Sequence, residues 1–312
     1  MRPRKLILGS GVAAGLAANL LGDSHDVCIA WLRNAATSPI PELLPRRAFF
    51  DALGVTKAEE TLAIAEVTPR LKAVTWDNGG ISISRSLEST DAFLVYEKGR
   101  LAAWLRKRAM AAGTQTVMLD TTSKIMDFGG YDFVLDCRGS RSVAEDLGYE
   151  VTQEAQARTC CTYAILNRPE SVAADQMVFW SVLNEDRVQR TLFCVPVGEE
   201  SISVGCSYSP TIRMNVNDVL EAACDFGLSL STQHIQFTGE AAPHLVTAKA
   251  LDPRVTPVGD ASRSSCPLTE YGTMAALSQL LRLRGEPDLP LSVLMRPTHC
   301  QIDPHIPLEL FS

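Results

Sequence analysis

The chain has 312 residues, 46% of them hydrophobic and 21% charged, the composition of an ordinary globular protein of one large or two modest domains. Its net charge of −7 argues against a nucleic-acid partner, because phosphate binding rests on basic patches.

Met1 to Lys5 is basic and Leu6 to Leu21 is apolar, a pairing that mimics a secretory signal. Glycines at 9, 11 and 15 interrupt the run, and Asn19 and Asp23 bound it. The segment is therefore read as part of the fold of a cytoplasmic protein. No later stretch approaches the roughly 20 apolar residues of a membrane span. Lys5 to Gly9 is a short apolar strand, Ala13 to Leu21 a buried helix and Asp26 to Trp31 a second strand, which makes a βαβ opening. A proline-rich loop with Pro39, Pro41 and Pro45 follows, then helices over 46–53 and 57–66. Residues 70–76 and 81–85 alternate like paired strands across Asp77-Asn-Gly-Gly80.

Glu97 to Ala112 forms an amphipathic helix stopped by Gly113, and Arg106-Lys107-Arg108 is expected on its solvated face. Residues 114–119 and 131–136 return as strands. From Arg158 to Tyr208 the pattern is β, with strands over 160–166, 177–183, 190–197 and 201–208, as in an antiparallel sheet. A helix over 217–226, a strand over 254–259 and a helix over 272–284 close the chain. The nine cysteines have no ligand-type spacing and read as buried hydrophobes or free thiols of a reducing compartment. Cys160 and Cys161 are neighbours on a strand and point to opposite faces.

Gly9-Ser-Gly11-Val-Ala13-Ala14-Gly15 lies between the first strand and the first helix, where a G-x-G-x-x-G/A turn binds a dinucleotide. Gly9 permits the tight turn, Gly11 lets backbone approach a pyrophosphate, and Ala14 allows close packing of helix on strand. The helix N-terminus then offers N–H groups to the phosphates. The end of the second strand, where an acidic residue holds the ribose, carries Trp31. That leaves two readings: Asn34 substitutes, or the adenosine end is held loosely.

Three further segments, in order, resemble the aromatic hydroxylase and flavin-dependent halogenase superfamily. Asp136-Cys-Arg-Gly139-Ser-Arg-Ser142 resembles its D-x-x-G-x-x-S motif. Gly259-Asp260-Ala261, followed by Pro267 and Gly272, resembles its G-D-A…P…G motif. Glu97-Lys98-Gly-Arg100-Leu101 looks like its D-R-x-x-F helix start, with Lys98 in place of arginine. The resemblance implies an FAD cofactor, with Asp260 on the ribityl chain and the last helix directed at the flavin ring, where its dipole stabilises negative charge. It assigns Gly9, Gly11, Ala13, Ala14, Lys98, Arg100, Asp136, Gly139, Gly259, Asp260 and Gly272 to the cofactor. Residues 36–55 and Cys266-Pro-Leu-Thr-Glu-Tyr-Gly272 are similar to stretches of the tryptophan halogenases. The latter also looks like the P-L-T-G-x-G of geranylgeranyl reductases.

The halogenase W-x-W-x-I-P motif falls on Thr191-Leu-Phe193-Cys-Val195-Pro196, where both tryptophans are absent. The halogenase lysine has only Arg70 and Lys72 near its expected place before Trp76, and the halogenase glutamate maps to Thr269, with Glu270 next to it. Glu270 is the candidate to orient substrate or take a proton, and His234 and His244 are further candidate bases. His299-Cys300-Gln-Ile-Asp303-Pro-His305 lacks zinc-type spacing, and no metal is expected.

The expected fold is α/β: a Rossmann-like FAD domain (1–35, 93–145 and 250–285) with an inserted antiparallel substrate domain (36–92 and 150–249) and a tail (286–312). The expected function is that of an FAD-dependent monooxygenase acting on a small or carrier-bound substrate with molecular oxygen through a flavin C4a-hydroperoxide. Its electrons come from NAD(P)H or from a separate flavin reductase. The alternatives are a halogenase, a reductase of the geranylgeranyl type, and a binding protein that kept the fold without the cofactor.

Overall fold

A computed structural model describes residues 3–22, 26–32, 39–69, 71–77, 82–86, 93–119, 130–139, 149–154, 160–184, 187–208, 211–230, 235–241, 245–262 and 271–289. The chain opens with β1 (Arg4–Leu8), α1 (Val12–Leu21) and β2 (Asp26–Leu32), then β3 (Pro41–Pro45), α2 (Arg46–Ala52) and α3 (Lys57–Val67). β4 (Ala73–Asp77), β5 (Ser82–Ser86) and β6 (Phe93–Glu97) precede α4 (Lys98–Ala111), β7 (Gln115–Leu119) and β8 (Phe133–Asp136). Five strands follow: β9 (Tyr149–Glu154), β10 (Cys160–Asn167), β11 (Gln176–Asn184), β12 (Arg187–Val197) and β13 (Ser201–Tyr208). α5 (Val216–Asp225), β14 (Ile235–Ala241), β15 (Leu245–Ala250), β16 (Val255–Pro257), a 3-10 turn (Gly259–Ala261) and α6 (Tyr271–Arg284) complete the order.

Two sheets organise these elements. The first is parallel, in the order β16-β8-β1-β2-β7. One face is covered by α1, α4 and α6, through Ile7, Ile29 and Leu135 against Leu16, Leu105 and Leu277. Eight of the ten α1 residues are buried, so this alanine-rich helix is internal rather than amphipathic. Its small side chains let neighbours approach: a Cβ on Gly15 would lie 2.6 Å from Cβ of Leu105. Asn19 fastens the contact, its Nδ2 donating to the carbonyls of Gly15 and Leu105 at 2.8 and 2.7 Å. The other face meets the antiparallel ribbon β9–β15, with Tyr149 and Ala250 packed against Leu6, Leu8 and Val134.

The second sheet runs β14-β10-β13-β12-β11-β4-β5 and is antiparallel except where β4 and β11 pair in parallel. α5, begun by a reciprocal cap between Asn215 and Asp218, packs on its outer face against Ala164, Leu192 and Cys206. Its inner face carries Cys161, Met177, Phe179, Phe193 and Val195, which meet Leu43 and Val95 of the β3–β6 ribbon. Cys160 and Cys161 do fall on opposite faces, one with each cluster.

Two sequence expectations are corrected. The proline-rich loop contains strand β3, which Pro41 and Pro45 bound. A two-stranded ribbon accommodates them because many of its backbone groups face no partner. Arg108 is not on a solvated face: it reaches across α1, donating from Nη1 to Asn19 Oδ1 at 2.8 Å and from Nη2 to the Leu53 carbonyl at 3.3 Å. Residues 46–67 pack with the parallel sheet's helices, Phe49, Phe50, Ala63 and Val67 sharing a core with Leu16 and Leu101. Among the described residues no helix is long and apolar enough to cross a membrane.

Candidate functional site

Three stretches far apart in sequence meet at the carboxyl edge of the parallel sheet. The first is the turn after β1. Gly9 has φ 133°, and a Cβ there would lie 2.6 Å from the Cys137 carbonyl oxygen. Only glycine suits such a position, both for its dihedral and for the close backbone. The Gly9 N–H donates to the Ala30 carbonyl at 2.8 Å, and the Cys137 N–H to the Leu8 carbonyl at 2.8 Å. Gly11 differs: a Cβ there would meet nothing within 4 Å. It opens α1 without a side-chain cap, and no acidic residue stands in the first turn. Uncapped N–H groups with open space before them suit an anion.

The second stretch follows β8. The Asp136 carboxylate is fully buried, yet its acceptor sites are occupied. Arg138 donates from its backbone N–H and Nε to Oδ1 at 3.1 and 3.0 Å, and from Nη2 to Oδ2 at 3.2 Å. Tyr149, from β9, donates its hydroxyl to Oδ2 at 2.8 Å. Burial and the Asp136 charge push the Tyr149 phenol far above its usual range, so it stays a donor. The same two causes raise the buried Cys137 thiol, which is neutral and an unsuitable nucleophile. Gly139, with φ 94°, follows directly.

The third stretch is the 3-10 turn. Gly259, at φ 64°, would bring a Cβ to 3.4 Å from Cβ of both Ala13 and Ala276, so it seats the turn between α1 and α6. Its N–H donates to Gln279 Oε1 at 3.1 Å, while Nε2 of the same side chain donates to the Pro257 carbonyl at 2.8 Å. The Val258 N–H donates to the Asp136 carbonyl at 2.8 Å and ties the third stretch to the second. Asp260 is exposed, and Gly272 lies in the first turn of α6.

A buried polar cluster lies beside α6. Glu42 of β3 accepts Lys98 Nζ at 2.6 Å and the Tyr96 hydroxyl at 2.9 Å, and that hydroxyl lies 3.0 Å from Thr273 Oγ1. Arg100 pairs with Glu97 at 2.7 Å. The structure thus brings Gly9, Gly11, Ala13, Asp136 and Gly259 together, and holds Lys98 and Arg100 in ion pairs with carboxylates. Sequence reasoning missed Glu42, Tyr96, Arg138, Tyr149 and Gln279. Arg138 sat inside a quoted motif; nothing local marked the others. His234, His244 and Glu270 lie outside the described residues, as do Asn34 and Arg70, and the same holds for the segment 299–305. Among the described residues no group of His, Cys, Asp and Glu is arranged to hold a metal.

No family model matches the sequence, and no curated protein matches it. Solved structures do. A flavin-dependent halogenase from Xanthomonas campestris superposes with a TM-score of 0.59 at 14% identity, covering 97% of this chain and 74% of that one. A 2-methyl-3-hydroxypyridine-5-carboxylic acid oxygenase superposes with a TM-score of 0.59 at 15% identity, covering 91% and 82%. The tetracycline destructase Tet(55) superposes with a TM-score of 0.61 at 14% identity, covering 90% and 80%. The chain has the fold that these halogenase and oxygenase structures share, a Rossmann-type parallel sheet beside a largely antiparallel one.

Proposed function

We propose that the chain binds FAD and acts as a monooxygenase on a small or carrier-bound organic substrate. The observation that carries this reading is the convergence of Gly9, Gly11, Asp136 and Gly259 around the uncapped start of α1. Residues 9–14 and the first turn of α1 would hold the pyrophosphate, and Gly259, Asp260 and Gly272 the flavin half. The fit is supported by the space in front of Gly11, which a side chain would narrow. When bound and reduced, FAD supplies the electrons that activate oxygen. The chain's own part is to orient the substrate and keep water out. Residues 93–145 and 250–285 join 1–35 in the cofactor domain of this reading, and Glu270, one residue before α6, is its candidate proton-handling group.

Oxygen insertion is preferred to halogenation because of Lys72. Its side chain is 72% exposed and pairs with Asp175 at 2.9 Å, whereas a lysine relay requires a protected position. Phe193, at a tryptophan position of the halogenase motif, is 1% exposed and packs into the core. The test is a titration with oxidised and reduced FAD, followed by absorbance and calorimetry. Saturable binding with flavin bands near ~370 and ~450 nm is expected. Turnover is then assayed with oxygen, with and without bromide or chloride. Halide-dependent product mass would replace the monooxygenase reading with a halogenase one, and absence of flavin binding would remove both.

A further inference from the structure

The β3–β6 ribbon has two unlike faces. Its register sets Glu42 opposite Tyr96, Leu43 opposite Val95 and Leu44 opposite Leu94, and successive pairs point to opposite sides. Leu43 and Val95 meet the inner face of the second sheet, whereas Leu44, Leu94 and Tyr96 enter the core shared with α1, α4 and α6. On that second side Glu42 and Tyr96 are buried together with Thr273 of α6, and buried polar groups of this kind persist because they are joined. Lys98 meets one oxygen of Glu42 at 2.6 Å, and the Tyr96 hydroxyl donates to the other at 2.9 Å. A phenol has one proton to give. With that proton on Glu42, the 3.0 Å contact between Tyr96 and Thr273 is one in which Thr273 donates. Thr273 stands in the first turn of α6, next to Gly272. One turn further along, Ala276 lies 3.4 Å from where a Cβ of Gly259 would be. The start of α6 is thus held at two points, against the 3-10 turn by packing and against the ribbon by a hydrogen bond. Only the second contact is directional, so it sets the orientation of the first turn.

We propose that Tyr96 and Glu42 are positioning residues for the flavin half of the site, acting through Thr273 on the first turn of α6. The proposal rests on the reading above, in which Gly259, Asp260 and Gly272 hold the flavin. Calorimetry is run with FAD, riboflavin and ADP, the last because it carries the diphosphate without the flavin. The proteins are the wild type, Tyr96→Phe, Thr273→Val, Glu42→Gln and Glu42→Leu. Tyr208→Phe is the control, since that buried hydroxyl bonds the Met214 carbonyl and Thr162 in a polar cluster of the second sheet. Tyr96→Phe and Thr273→Val are expected to weaken FAD and riboflavin by ~3- to 10-fold, the scale of one hydrogen bond, with ADP unchanged. The absorbance bands of bound oxidised flavin should shift in these two variants and not in Tyr208→Phe. Glu42→Gln keeps an oxygen for Tyr96 and should retain most of the affinity that Glu42→Leu loses. FAD and ADP weakening together, the mark of general damage, overturns the proposal. So does a loss of thermal stability in variants that bind FAD with wild-type affinity and spectrum, since the network would then only hold the fold. A wild type that binds ADP but no flavin removes the FAD reading and this proposal with it. A wild type that binds flavin, with Tyr96→Phe and Thr273→Val identical to it, removes this proposal alone.

Discussion

Gly9 and Gly11 are two residues apart, and the structure asks opposite things of them. In Gly9→Ala the new methyl carbon would sit 2.6 Å from the Cys137 oxygen and 2.8 Å from its carbonyl carbon, well inside van der Waals contact. A φ of 133° costs an alanine about 1–3 kcal/mol on its own. Relief requires the end of β8 to part from β1, which weakens the Cys137-to-Leu8 and Gly9-to-Ala30 hydrogen bonds, each contributing ~1 kcal/mol. The sum is roughly 3–5 kcal/mol, and at ~2–4 °C per kcal/mol melting should fall by about 6 °C or more. Gly11→Ala meets no atom within 4 Å and has an ordinary extended backbone, φ −82° and ψ −172°. Its stability cost should stay within ~1 kcal/mol, the scale of a helix-cap change. Its methyl group enters the space assigned to phosphate, so FAD and ADP affinity should drop by at least ~10-fold. Thermal unfolding and calorimetry on both variants separate the effects. A Gly9→Ala protein that melts with the wild type, or a Gly11→Ala protein that binds ADP normally, refutes the reasoning.

Three other changes test the charge and polar arrangements. Lys5 is 7% exposed on β1, and burial lowers its ammonium pKa. The unfolded chain therefore binds more protons in the alkaline window between the two values, and stability rises with pH there. Lys5→Met should stabilise the protein by roughly 0.5–1 kcal/mol at neutral pH and flatten that rise, as read by urea unfolding at pH 7 to 10. Glu60 is pushed up by burial, but its hydrogen bonds and charge contacts with Arg46 and Lys57 outweigh this and leave its pKa lowered. Its contribution is present above the unfolded carboxylate value near ~4.3 and is lost as pH falls through the lowered one. Glu60→Gln should cost about 1 kcal/mol at pH 7 and weaken the acid dependence of melting. Tyr96→Phe removes the donor to Glu42 and the partner of Thr273, for an expected loss of about 1–3 kcal/mol in denaturant.

The βαβ opening was legible because three signals coincided: an apolar strand, glycines at a tight turn, and a small-residue helix. β10 to β13 were legible because each is a run of eight or more residues rich in β-branched, aromatic and other apolar side chains. β3 was hidden by Pro41 and Pro45, which read locally as breakers although the ribbon tolerates them. β9, β14 and β15 were hidden for another reason. Sequences such as Tyr-Glu-Val-Thr-Gln-Glu (149–154) carry no clean apolar face, and their strand character comes from pairing with a segment about a hundred residues away. Arg108 shows the same limit in a helix. A basic triplet reads as solvated, but its buried carbonyl and amide partners, Leu53 and Asn19, are 55 and 89 positions distant.

Backbone demands and charge demands were unequally legible for a physical reason. Gly9 is fixed by close backbone and Gly259 by its positive φ, and their motif spacing reports those constraints locally. A charged residue has its role set by whichever opposite charge the fold brings within reach. Lys98, read as a cofactor ligand, is met by Glu42, 56 positions earlier in the chain, and Glu42 is in turn met by Tyr96. Asp136 is met by Arg138 two residues on and by Tyr149 from another sheet. The glycine skeleton is therefore set locally, whereas the Glu42 partner of Lys98 and the Tyr149 partner of Asp136 are set by which elements the fold brings together. That is why the glycine turn was legible from its motif spacing and the carboxylate partners were not.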